Sequence, residues 1–179
     1  MGNTIQVLDY QFEPYIQAEA IQQKVTELGA AIRRDYQGKN PIFVVVLNGA
    51  FIFAADLIRA CGIDCETAFV KLSSYSGLSS TGEVKTALPL PEKLQGRHLI
   101  LVEDIVDTGN TLSRFIPEVK AKGPASVAVT AILVKPDVLQ GRIVVDYAGF
   151  EIPPKFVIGY GLDYNEQGRQ LPDIYQIVE

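Results

Sequence analysis

The chain has 179 residues, 47% of them hydrophobic and 21% charged, which suits one domain with a sizeable core. Sixteen Lys and Arg against 21 Asp and Glu leave a net charge of −5 and a pI near 5.0. An acidic chain with no basic run argues against a nucleic-acid binder and against attachment to an anionic membrane surface, and no apolar run is long enough to span a bilayer.

The two cysteines, Cys61 and Cys65, with His98 elsewhere, make a weak metal site. Both thiols are therefore expected to be reduced and buried. No charged-then-apolar leader pattern opens the sequence, so the expectation is a cytoplasmic protein.

Residues 1–13 read as a mixed lead-in. From Pro14, the apolar residues Ile16, Ala20, Ile21, Val25, Leu28 and Ile32 recur at helical spacing, with Pro14 in the first turn. Arg33, Arg34 and Gly38 mark the end of this helix. Residues 41–47 (PIFVVVL) form an apolar strand that stops at Asn48-Gly49-Ala50, and residues 51–60 read as a helix. A glycine at that turn permits a close ligand approach that a side chain would forbid. Residues 66–72 give a third strand. The polar, small-residue stretch 73–82 (SSYSGLSSTG) has the length and composition of a lid or binding loop, with Tyr75 its one large ring. Residues 88–96, with Pro89 and Pro91, are a connector.

Residues 99–111 (LILVEDIVDTGNT) are the centre of the chain. Four apolar residues suit a strand buried on both faces. They run into Glu103 and Asp104, and then into the small, polar loop Asp107-Thr108-Gly109-Asn110-Thr111. A helical stripe of Leu112, Phe115, Ile116 and Val119 follows, with Pro117 expected to kink or shorten it. Strand, loop and helix start make an anion site, because the first turn presents unpaired backbone N–H groups. Gly123-Pro124 ends the helix; residues 126–134 (SVAVTAILV) are a fourth apolar strand ending in Lys135. Residues 143–145, 156–160 and 174–178 read as short strands, and residues 161–169 as a loop. Alternating strands and helices predict an α/β fold, an open, mostly parallel twisted sheet with helices on both faces.

In such sheets ligands bind beyond the carboxyl ends of the strands. Asn48-Gly49, Ser73 to Tyr75, Glu103 to Thr111, Lys135 and Asp163 all follow apolar runs, so the fold should bring them to one rim. The central loop suits a phosphate, which Glu103 and Asp104 would repel unless they accept bonds from sugar hydroxyls or hold a magnesium ion.

The stretch 99–111 resembles the phosphoribosyl pyrophosphate signature of the type I phosphoribosyltransferases. VEDIVDTGNT, LVK at 133–135, GFEIP at 149–153 and KFVIGYGLDYNEQGR at 155–169 look like those of the hypoxanthine (6-oxopurine) members. The resemblance implies a type I phosphoribosyltransferase fold in one domain, 1–179, with a small hood from the N-terminal segment and the region around 155–179. It implies phosphoribosyl transfer to hypoxanthine or guanine, with Mg2+ as cofactor. Phosphoribosyltransferases for xanthine or uracil, or a nucleotide-binding regulator, are the alternatives. The regulator would need a basic face, which a net charge of −5 opposes.

By the same resemblance, Glu103 and Asp104 bind the ribose hydroxyls, directly or through magnesium, and Asp163 ligates the metal. Asp107, Thr108, Gly109, Asn110 and Thr111 cradle the 5′-phosphate, and Asp107 is the general base for the purine. Lys135 donates to the 6-oxo group, Phe156 stacks on the base and Val157 touches its edge through the backbone. Asn48-Gly49, a loop with a cis peptide in this family, and Arg169 serve the pyrophosphate. Lysine often stands where Asn48 and Asn110 stand here, so those two act through their backbone. Ser74 and Tyr75 belong to the closing lid. Relatives form homodimers or homotetramers, with the helix carrying Phe51 and Phe53 a source of apolar contact surface.

Overall fold

The structure, a computed structural model, describes residues 4–73, 85–88, 90–139 and 141–178. The lid residues Ser74 and Tyr75 lie outside the described residues. In chain order the elements are β1 (Ile5–Val7), β2 (Tyr10–Ile16), α1 (Ala18–Tyr36), β3 (Ile42–Leu47), α2 (Phe51–Cys61), β4 (Glu66–Ser73) and β5 (Lys85–Leu88). Then come β6 (His98–Val106), α3 (Asn110–Lys120), β7 (Ser126–Val134), α4 (Pro136–Leu139), β8 (Tyr147–Glu151), β9 (Val157–Ile158) and β10 (Ile174–Ile177).

The main sheet has six strands in the order β5-β4-β3-β6-β7-β8. All its pairings are parallel except β4 with β5. Its central strands are mostly apolar, as in 42–47 and 99–102, because both faces are covered there. Phe43 and Val45 of β3, with Ile100 and Val102 of β6, pack with α1 and α2. Ile42, Val44 and Val46, with Leu99 and Leu101, pack with Leu112, Phe115 and Val119 of α3 on the other side. The predicted sheet and its helices on both faces are present.

A second sheet, β1-β2-β10-β9, joins the two ends of the chain. Here the local reading needs correction. Residues 5–7 and 10–16 are strands, not a lead-in followed by a helix start. Pro14 sits in β2 opposite Tyr175, beside a register shift in β10. A proline fits there because the irregularity spares the missing N–H. The helix begins at Ala18, whose N–H donates to Asp173 Oδ1 at 2.7 Å. That first-turn donor is satisfied from 155 residues away, so no local cap marks it.

α3 runs to Lys120 and carries the expected stripe, with Pro117 inside it. Other expectations shift. Residues 143–145 are not a strand; pairing with β7 starts at Tyr147. Only Val157 and Ile158 of 156–160 are strand, since Gly159, Tyr160 and Gly161 all have positive φ. β5, within the stretch after the polar loop, was not anticipated. Cys61 is buried as expected, with burial pushing its thiol up to about 12, but Cys65 is half-buried. No helix among the described residues is long and apolar enough to cross a membrane.

Candidate active site

The sheet order places the site. From β3 the chain moves outward through α2 to β4, and from β6 it moves the other way through α3 to β7. A crevice opens beyond the carboxyl ends of β3 and β6, where the order reverses. β3 pairs with β6 only as far as Val45 opposite Val102, whereas β7 stays paired to Val106. Glu103 and Asp104 thus lie within β6, not in a loop, on the stretch that has lost its β3 neighbour.

Successive residues of a strand face opposite ways. Asp104 lines a cleft of about 220 Å³ with Ile105, Asp107, Lys135, Phe156, Val157, Leu162 and Asp163. Glu103 lines a second cleft of about 110 Å³ with Ile105, Val106 and every residue from Asp107 to Leu112. Asp107 belongs to both. A larger cavity of about 510 Å³ lies between α3 and the 141–146 connection, but it gathers no bonded acid–base pair among the described residues.

Lys135 follows β7 and is 8% exposed. Its Nζ donates to Asp107 Oδ2 at 3.0 Å. The lysine is thereby aimed into the first cleft, at the point where the two clefts meet. Phe156, 45% exposed, is a wall of that cleft and not a core residue. Phe12 stands 6.3 Å from it and Tyr164 stands edge-on at 5.8 Å, so its ring is held from two sides. Val157 is buried beside it.

The second cleft is a loop feeding a helix. Gly109, with φ +71°, is the N-cap of α3 and supplies no side-chain cap. The Asn110 N–H reaches the Thr108 hydroxyl at 3.4 Å, and the other N–H groups at the start of α3 face outward from the helix end, where a ligand or water can meet them.

Asp104 carries a bond from the Ile105 N–H at 2.7 Å. Burial raises its carboxyl above the usual range, partly offset by that bond and by the Arg169 charge. Burial, with the neighbouring Asp104 charge, pushes Glu103 well above it. Asp163 pairs with Arg169 Nη2 at 2.9 Å and accepts from the Glu166 N–H at 2.7 Å. Arg169 also bonds the Gly161 carbonyl at 2.8 Å and Glu166 at 3.0 Å. It therefore staples the 161–169 loop on itself. No group of three or more metal-binding side chains is gathered among the described residues.

Asn48 and Gly49 sit at the mouth of the crevice, and the Leu47–Asn48 peptide is cis. A Cβ on Gly49 would overlap the Asp104 carboxylate, and one on Gly161 would overlap the Gly49 carbonyl. The turn after β3, the acidic end of β6 and the 161–169 loop are in contact only because these two positions lack side chains. The structure thus brings Asn48, Gly49, Asp104, Asp107, Lys135, Phe156, Val157, Asp163 and Arg169 to one rim. Sequence reasoning missed Ile105 and Leu162 in the first cleft. Both lie next to residues it named, and their apolar character within the motifs was the available signal. It also missed Arg142, which bonds the 107–111 loop and has no local signal.

Comparison with known proteins agrees with this geometry. Residues 13–165 match the family described as "Phosphoribosyl transferase domain". The chain is 42% identical over 161 residues to the "Hypoxanthine-guanine phosphoribosyltransferase" of Lactococcus lactis, covering 88% of this chain and 86% of that one. It is 37% identical over 181 residues to the "Hypoxanthine phosphoribosyltransferase" of Buchnera aphidicola, covering 99% and 98%. It is 41% identical to the "Bifunctional protein TilS/HprT" of Listeria monocytogenes, covering 89% of this chain but spanning 25% of that longer relative. A crystal structure of a hypoxanthine phosphoribosyltransferase from Staphylococcus aureus superposes with a TM-score of 0.87 at 36% identity, covering 93% of this chain and 91% of that one.

Proposed function

Since the chain belongs to the phosphoribosyltransferase family, we propose that it transfers the 5-phosphoribosyl group from phosphoribosyl pyrophosphate to hypoxanthine, and to guanine, yielding IMP or GMP and pyrophosphate. The reaction is one of purine salvage. The observation that supports it best is the pair of clefts sharing Asp107, one walled by an aromatic ring and a buried lysine, the other by helix-start N–H groups.

In this reading the purine lies in the first cleft against Phe156, its edge at Val157. Lys135 has three donors. One is spent on Asp107, and another reaches the 6-oxo group, where adenine would present donors of its own. As one ring nitrogen attacks the anomeric carbon, Asp107 takes the proton from the nitrogen at position 7. The 5′-phosphate lies in the second cleft on the N–H groups and hydroxyls of residues 107–111, while Glu103 and Asp104 bind ribose hydroxyls. Asn48-Gly49 and Arg169 receive the pyrophosphate, and Ser74-Tyr75 close over the site to exclude water.

Magnesium fits the acidic end. Asp104 and Asp163 line one cleft, and the half-buried carboxyls of Glu103 and Asp104 are pushed above the usual carboxylate range, a shift that a bound cation would oppose. Asp104 and Asp163, with Glu103 nearby on the same strand, would supply the one or two carboxylates by which a protein holds such an ion. When bound, it neutralises charge on the departing pyrophosphate. The reading treats 1–179 as one domain in a cytoplasmic enzyme, with the β1-β2-β10-β9 sheet as hood. Assembly into dimers or tetramers is part of it, supported by exposed Phe51 and Phe69; Phe53 is fully buried in the core and offers no contact surface.

The test is product formation from phosphoribosyl pyrophosphate with hypoxanthine, guanine, xanthine, adenine and uracil in turn. Hypoxanthine and guanine should be the best acceptors. Adenine or uracil as the preferred base would overturn the role given to Lys135.

A further inference from the structure

We propose that Arg142 is a positioning residue of the phosphate-binding loop and supplies the cation that the loop itself lacks; the inference rests on the function proposed above. The loop reads DTGNT, with no Lys or Arg. The cleft it forms is also lined by Glu103 and Asp107, both carboxylates. A phosphate entering it meets N–H dipoles but also acidic neighbours, and Lys135 is committed to Asp107 at the base end.

Arg142 does not line this cleft; it reaches the loop from behind, from the neighbouring cavity between α3 and the 141–146 connection. Its Nη1 donates to Asn110 Oδ1 at 2.6 Å and to the Thr108 carbonyl at 3.4 Å. Both acceptors are oxygens, so the loop N–H groups are not consumed. The contact is built into the fold. The Leu139 N–H donates to the Lys135 carbonyl at 3.0 Å, and the Arg142 N–H to the Leu139 carbonyl at 3.1 Å. Leu139 and Ile143 press against Gly109, where a Cβ would strike the Leu139 side chain. One short segment therefore runs from the base-reading lysine, under the loop glycine, to a guanidinium on the loop. Charge-assisted bonds of this kind fix a loop more firmly than neutral ones, and the guanidinium offsets the carboxylates for a dianionic ligand.

The test separates phosphate from nucleoside. IMP and inosine are titrated calorimetrically into the wild-type protein, Arg142→Ala, Arg142→Lys and the double variant Arg142→Ala/Asn110→Lys. Arg142 is exposed, so its truncation should leave the fold intact. Arg142→Ala should weaken IMP about three- to tenfold with inosine unchanged, and the loss should shrink at high salt. Arg142→Lys and the double variant should each recover part of the loss. In turnover, the KM for phosphoribosyl pyrophosphate should rise while that for hypoxanthine stays put. Equal losses for IMP and inosine would reduce Arg142 to a structural prop and overturn the inference, as would unchanged IMP binding in Arg142→Ala. A wild-type protein that binds no IMP would overturn the underlying functional reading, and this inference with it.

Discussion

Lys135 and Asp107, 28 residues apart in sequence, are joined by a 3.0 Å ion pair whose two ends differ sharply in exposure, 10% for the lysine side chain and 51% for the aspartate. The pair links the group proposed to read the base to the group proposed to take its proton. Because the lysine is the buried partner, the two truncations should not be equivalent.

Asp107→Asn should lower kcat by about 10²- to 10⁴-fold, with KM values moving little, because it removes a proton acceptor and keeps the shape. It should also lower stability by about 1–2 kcal/mol, since it strips a buried ammonium of its counter-charge. Single-turnover rates and denaturant unfolding check the two parts. Unchanged turnover would reject Asp107 as the base.

Lys135→Met should spare stability better, because the carboxylate left behind is half exposed to water. Its effect should fall on selectivity. The ratio of kcat/KM for hypoxanthine over adenine should drop by at least about tenfold, as a site that loses its donor no longer penalises an amino group there. An unaltered ratio would place base selection elsewhere.

Gly49→Ala would put a methyl group onto the Asp104 carboxylate. The clash involves a carboxyl group held by the Ile105 N–H, so it cannot swing away freely. The variant should lose about 1–3 kcal/mol of stability and at least about tenfold in kcat/KM for phosphoribosyl pyrophosphate. Wild-type kinetics in this variant would show that the crevice mouth opens more than the structure implies.

Asp56 on α2 anchors the segment that leads into the 161–169 loop. It accepts from the Tyr160 hydroxyl at 2.7 Å and Gln22 at 3.1 Å, and it pairs with Arg59. Burial alone would raise its carboxyl, but the bonds from Tyr160, Gln22 and Arg59 outweigh burial and hold it below the ordinary value of 3.8. A depressed carboxylate stabilises the fold fully above its unfolded value, and that contribution fades as pH falls through the lower folded value. The difference in Tm between wild type and Asp56→Asn should therefore be level above about pH 5 and shrink below about pH 4. A difference that grows on acidification would contradict the sign.

The sequence by itself determined the parallel sheet and the strand–loop–helix passage through 99–111. Each of β3, β6 and β7 is covered on both faces over most of its length, which writes a largely apolar run that needs no partner to be recognised. The second cleft is one contiguous stretch, 103 to 112 with only Asp104 missing, so its chemistry was legible in order. Tertiary structure decided what lies between distant segments. The second sheet pairs β2 with β10 across the length of the chain, and a three-residue strand such as β1 has too little periodicity to show it alone. The start of α1 depends on Asp173, and the cation bonded to the 107–111 loop comes from Arg142, 32 residues beyond Asn110. Adjacent Glu103 and Asp104 read as one acidic pair in sequence. The pleat of β6 sends them into different clefts, and that division follows from the strand continuing through them to Val106.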